Sequence, residues 1–115
     1  MDLRLYVITD SRLLAGRSLV EAVEEAIRGG ATVIQYREKE APTRRMVEEA
    51  RLLRALCKAR GIPFIVNDRI DVALAVDADG VHVGDDDMPV WLARKILGPR
   101  KIIGASADTV EKAIL

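Results

Sequence analysis

An α/β fold of parallel strands, a (β/α) barrel with about five of its eight strands present, is what the sequence predicts. Three observations lead there. Short β-branched runs alternate with amphipathic helical patterns along the chain. No two strand runs stand close enough for a hairpin, so the strands are expected to be parallel with right-handed crossovers. Two apolar runs break off into carboxylates: Phe64-Ile65-Val66 into Asn67-Asp68-Arg69, and Gly80-Val81-His82-Val83 into Gly84 and Asp85-Asp86-Asp87. Buried parallel strands do this where they surface at their C-terminal ends.

The first strand reads Leu-Arg-Leu-Tyr-Val-Ile over 3–8 and ends in the polar turn Thr9-Asp10-Ser11. Ser18 and Glu21 have the spacing of a capping box, so a helix is expected from Leu19. Leu19, Val20, Val23, Ala26 and Ile27 form its apolar stripe, and Gly29-Gly30 stops it. The second strand covers 32–36 and runs on into Arg37-Glu38-Lys39. A helix over 43–60 follows, with Met46, Ala50, Leu53 and Cys57 on its buried stripe, and Gly61 and Pro63 end it.

The third strand is 64–66. A short helix over 69–76 leads to the fourth strand, 80–83. Pro89 suits a first helical position, and that helix runs to Leu97, where Gly98-Pro99 terminates it. The fifth strand is 101–105, and Asp108 with Glu111 resembles a further capping box, so another helix begins there. Two architectures accommodate this order: an open doubly wound sheet, or part of a TIM-type barrel that needs about 250 residues when complete. Thr9-Asp10-Ser11 stands where a dinucleotide-binding sheet carries its Gly-rich turn, which favours the barrel. The expected reading is a single domain over 1–115, the N-terminal portion of a (β/α)8 barrel.

Composition narrows the partners. Eighteen basic residues balance eighteen acidic ones and are interspersed with them, a pattern that suggests neither a nucleic-acid nor a membrane surface. The longest apolar runs fall short of the roughly 20 residues that cross a bilayer. With one cysteine and no basic-then-apolar leader, a reducing, cytoplasmic setting is the expectation.

In either architecture functional groups collect at the C-terminal strand ends. Those ends bring together Thr9 and Asp10, then Gln35, Arg37 and Lys39, then Asn67 and Asp68, then the triplet Asp85 to Asp87, then Ser106. In an extended segment Gln35, Arg37 and Lys39 share one face. Two cations with an amide suit a phosphate-rich anion and a heteroatom edge. Carboxylates at neighbouring strand ends repel unless a cation lies between them, and hard oxygen ligands without a Cys or His cluster favour magnesium over zinc. The triplet can equally cap the next helix, and Arg37 and Lys39 taken singly read as solvated charges. His82, inside an apolar strand, reads as a satisfied core histidine. Cys57 and Trp91 read as packing, and Ser106 lacks the elbow of a catalytic triad.

Five motifs stand in order along the chain: Leu5-Tyr6-Val7-Ile8-Thr9-Asp10, Gln35-Tyr36-Arg37-Glu38-Lys39, Val66-Asn67-Asp68-Arg69, Asp79-Gly80-Val81-His82-Val83-Gly84 with Asp87, and Ile103-Gly104-Ala105-Ser106. Together they closely resemble thiamine phosphate synthase, and the resemblance spans the whole chain. It implies a (β/α)8 barrel that joins hydroxymethylpyrimidine diphosphate to thiazole phosphate, giving thiamine phosphate and diphosphate. It further implies that Gln35, Arg37 and Lys39, joined by Asn67, grip the pyrimidine substrate and its diphosphate. Asp68 and Asp87 match the family's magnesium ligands, and Ser106 matches a serine near the breaking bond. Arg37, Lys39 and Ser106 are thus the implied catalytic groups.

Asp85 departs from the family's usual glutamine, and the family's later strands with the thiazole-phosphate site lie beyond this chain. Self-association, or pairing with the rest of a barrel, is therefore expected. Two rival readings are a thiazole tautomerase of the same lineage and a non-catalytic regulatory relative. Tautomerase relatives tend to lose the metal carboxylates and the lysine, whereas Lys39, Asp68 and Asp87 are all present.

Overall fold

Five strands, β1 (Tyr6–Ile8), β2 (Val33–Tyr36), β3 (Phe64–Asn67), β4 (Gly80–Val83) and β5 (Ile102–Ala105), form one sheet in chain order, and every neighbouring pair is parallel. Four helices connect them: α1 (Leu19–Arg28), α2 (Thr43–Ala59), α3 (Ile70–Val76) and α4 (Val90–Leu97). The computed structural model describes residues 1–106. The expected helix after Ser106 lies outside the described residues.

Strand order separates the two candidate architectures. A doubly wound sheet reverses its order at a switch point, whereas this one runs β1-β2-β3-β4-β5 without reversal. Right-handed crossovers then place every helix on one face, as in the wall of a (β/α) barrel. The sheet is an arc of a TIM-type barrel.

Period-two alternation divides the strand residues between two surfaces. Ile34, Tyr36, Phe64, Val66, Val81 and Val83 turn toward the helices and join Met46, Ala50, Leu53 and Cys57 of α2 in the core. Burying such side chains stabilises the fold by about 1.5–3 kcal/mol each. The alternate residues Gln35, Ile65, Asn67, His82, Ile102 and Gly104 turn the other way and, with Tyr6 and Ile8, line a concave space of about 790 Å³.

Local chemistry sets the element ends. Ser18 caps α1, its Oγ accepting from Glu21 N at 3.1 Å. The first strand starts at Tyr6 rather than Leu3, because the Asp2 carboxylate accepts from Arg4 N at 3.0 Å and from the Arg4 guanidinium, turning the chain before it can extend. A 3-10 turn, Ser11–Leu13, follows β1, with Asp10 capping it through Arg12 N. Arg60, Arg69 and Pro89 cap α2, α3 and α4 rather than belonging to them. Trp91 is a correction. It is 69 % exposed, because α4 packs through Ala93 and turns the indole to solvent.

Candidate active site

Gln35, only 2 % exposed, sits at the centre of the concave face. Its Nε2 donates to Tyr6 Oη at 2.9 Å, and its Oε1 accepts from Asn67 Nδ2 at 3.1 Å, so three strands are laced together by side chains. Asn67 Oδ1 is buried and finds no hydrogen-bond partner among the described residues. A buried acceptor left this way costs about 1–3 kcal/mol, and an N–H from a ligand would satisfy it. Thr9, a buried polar residue, takes Arg37 N on its Oγ1 at 3.0 Å and donates its own N–H to Gln35 O at 2.9 Å.

Alternation continues past the end of β2. Tyr36 points the other way, its hydroxyl donating to Glu49 Oε1 at 2.7 Å, and burial followed by that carboxylate pushes the phenol pKa well up. Arg37 returns to line the concave space. Lys39, exposed on the following loop, is close enough for its charge to act on both Asp68 and Asp87.

The two carboxylates meet. Asp68 follows β3 in the left-handed region at φ 65°, and its N–H donates to His82 O at 2.7 Å. In the loop after β4, Asp87 Oδ2 accepts from Gly84 N at 2.7 Å while Asp87 N donates to Gly84 O at 3.2 Å, which folds the acid back toward the sheet. The Asp68 and Asp87 carboxyls lie near enough for each to act on the other's ionisation. Burial, and then the neighbouring Asp87, raise the Asp68 pKa above its ordinary value, whereas the Gly84 N–H holds Asp87 below its own. Sharing a proton or holding a cation between them relieves the repulsion of two such neighbouring carboxyls.

That donor set fits magnesium. Among the described residues no three His, Cys, Asp or Glu side chains converge. Magnesium characteristically takes one or two carboxylates and fills its octahedron with waters and phosphate oxygens. Within the acidic triplet Asp87 turns inward, accepting from Gly84 N, while Asp85 and Asp86 are exposed, and Pro89 stands at the N-cap of α4.

His82 corrects the reading of a core histidine. Because Val81 and Val83 face the helices, His82 between them faces the concave side, where its Nε2 lies 2.7 Å from Ser106 Oγ. Ser106 in turn donates its N–H to Val83 O at 3.0 Å. The pleat carried the signal, since a polar residue flanked by two core valines on a barrel strand must point inward. Tyr6 is the other site residue that the sequence does not single out, whereas Thr9 is named at its strand end. Among the described residues no helix is long and apolar enough to cross a membrane.

Comparison with known proteins identifies the family and agrees with the fold. The sequence model of the family described as thiamine monophosphate synthase matches residues 5–115. The chain is 60% identical to the thiamine-phosphate synthase of Chloroflexus aurantiacus, covering 99% of this chain and 52% of that protein. It is 57% identical to the thiamine-phosphate synthase of Persephonella marina, covering 99% of this chain and 54% of the relative. A solved structure, thiamine phosphate pyrophosphorylase from Pyrococcus furiosus, matches with a TM-score of 0.89 at 54% identity, over 97% of this chain and 54% of that one. The chain thus spans about half the length of these relatives. With the matched model extending over nearly its whole length, the chain belongs to the thiamine monophosphate synthase family.

Proposed function

We propose that this chain supplies the diphosphate and metal half of a thiamine phosphate synthase site, as a single domain over 1–115 that is the N-terminal portion of a (β/α)8 barrel. Its substrates would be hydroxymethylpyrimidine diphosphate and thiazole phosphate, its products thiamine phosphate and diphosphate, and its setting the cytoplasm. One observation carries the reading: Asp68 and Asp87 converge in the field of Lys39, beside the concave face that holds Gln35 and Arg37.

Each side chain has a physical task. Gln35 and Asn67 offer amide groups to the heteroatom edge of the pyrimidine, and the open Asn67 Oδ1 takes an N–H from it. Arg37 and Lys39 bind the diphosphate and stabilise the negative charge that grows on it as the methylene–oxygen bond breaks, the electron pair leaving with oxygen. Magnesium held by Asp68 and Asp87 would supply further neutralisation of that leaving group. Electron donation from the aminopyrimidine ring stabilises the cationic methylene, and the thiazole nitrogen forms the new bond with its own lone pair. No side chain needs to remove a proton. Ser106, fixed by His82, stands at the substrate face of the site. The tautomerase and regulatory readings give the carboxylate pair no task.

Calorimetry on the full chain with magnesium diphosphate tests the reading. Binding is expected for the parent chain and should be lost in Asp68→Ala. Equal binding by that variant would remove the metal site from the proposal, and turnover at full synthase rates by an isolated monomer would reject the half-site.

A further inference from the structure

Arg69 follows Asp68 directly and carries a permanent positive charge near the proposed site, so an anion contact is the obvious task for it. Its hydrogen bonds run elsewhere. Nε and Nη2 donate to the two oxygens of Asp71 at 3.0 and 2.7 Å, Nη2 donates also to Thr43 Oγ1 at 2.9 Å, and Nη1 points at Met46 Sδ at 3.3 Å. Thr43 opens α2, Met46 is buried one turn later, and Asp71 lies in the first turn of α3. The guanidinium therefore ties the start of α2 to the start of α3. Its planar fork makes this possible, because several rigidly spaced N–H groups are satisfied at once.

The segment under this tie is the turn that carries Asp68. At φ 65° a non-glycine residue occupies a sparsely populated conformation that persists where the surroundings hold it. The backbone supplies two holds, Asp68 N to His82 O and Arg69 N to Asn67 O, both at 2.7 Å. The Arg69 side chain supplies a third, to α2, the helix entered from the loop that bears Lys39. We propose that Arg69 is a positioning residue which, through Thr43, Met46 and Asp71, fixes the left-handed turn that aims Asp68 at Asp87. This rests on the reading of Asp68 and Asp87 as the metal carboxylates.

The test measures magnesium diphosphate affinity by calorimetry and, without metal, amide hydrogen exchange, on the full chain and five variants, one of them double. Arg69→Ala should weaken binding by about 10- to 100-fold, the range seen when the partners that orient metal ligands are removed. It should also speed exchange of the Asp68 amide while the Val66 and Val81 amides exchange as in the parent. Arg69→Lys should recover little of the loss, since an ammonium cannot span Asp71 and Thr43 together. Thr43→Val should show a smaller loss that disappears when Arg69 is already alanine. A folded Arg69→Ala chain with parent affinity and parent Asp68 exchange would overturn the proposal. If that variant fails to fold, parent values for both readouts in Thr43→Val overturn it instead. Asp68→Asn separates the two levels. Unchanged binding there defeats the metal-site reading and this proposal with it, whereas loss there with parent binding in Arg69→Ala defeats the positioning role alone.

Discussion

Gly104 lies so close to His82 that a methyl carbon built on its backbone would come 2.8 Å from Nδ1 of the ring. The other ring nitrogen reaches Ser106 Oγ, so the imidazole is held between bare backbone on one side and a hydroxyl on the other. At Gly80 the same methyl would meet Ile102 O at 2.1 Å, which is main chain of the neighbouring strand.

These two glycines should respond differently to alanine. In Gly104→Ala the obstacle is a side chain that can swing, so stability should change by about 1 kcal/mol or less while the His82–Ser106 bond is lost. The chain has one histidine, so its imidazole resonances report the change without ambiguity. In Gly80→Ala the obstacle is backbone, and separating β4 from β5 should cost about 3 kcal/mol or more. Urea unfolding of both variants checks this, and equal stabilities would refute it.

Asp68→Asn should stabilise the metal-free chain while removing magnesium binding. The Asp68 carboxyl is partly buried beside Asp87, which raises its pKa in the folded state above the ordinary 3.8. A raised folded pKa means that its favourable contribution is complete below 3.8 and is lost as pH rises through the folded value. The variant should therefore match the parent at acid pH and exceed it by about 0.5 kcal/mol at neutral pH, the scale of a partly exposed charge pair. Asp87, held below 3.8 by the Gly84 N–H, gives up its own contribution only at more acid pH. Unfolding midpoints measured with a chelator across this range decide the matter.

Much of this site was legible because strand chemistry is local. The i, i+4, i+7, i+11 stripe of α2 reads directly as Met46, Ala50, Leu53 and Cys57, all buried. Gln35 and Arg37 fall on one face because the pleat alternates, and the acids gather because parallel strands surface at one end. What was not legible depends on contacts distant in sequence. His82 looks like core until the helix-facing side of β4 is known, and Trp91 looks buried until α4 is seen to pack through Ala93 and Leu97. Neither the Thr9 bond to Arg37 N nor the left-handed turn at Asp68 leaves a pattern in the chain.

Cys57 should resist thiol reagents until the chain unfolds. Burial pushes its thiol up to about 11 from an ordinary 9.0, so at pH 8 the thiolate is about 100-fold scarcer than in the unfolded chain, before any steric exclusion is counted. Because the unfolded thiol ionises first, this group lowers stability as pH rises from 9.0 toward 11. Labelling rates in buffer and in urea measure the ratio, and rapid stoichiometric labelling of the native chain would refute the burial.

The sheet edges lead to the last prediction. Among the described residues, β1 and β5 each pair on one side only, leaving a row of backbone donors and acceptors open on the other. Apolar side chains border the β1 edge and the concave face: Met1, Leu3, Leu5 and Ile8 are all exposed. A strand edge bordered by apolar surface is a template for another chain. β1 is short, which weakens any single pairing, so association should be concentration-dependent rather than fixed. Sedimentation velocity should show the mean mass rising above that of the monomer with concentration. Leu5→Lys should lower it by placing a charge beside the open edge, since charged side chains blunt such edges in natural sheets. A well-folded monomer that persists at high concentration would mean that the concave face tolerates water, and the expected pairing would then have to be abandoned.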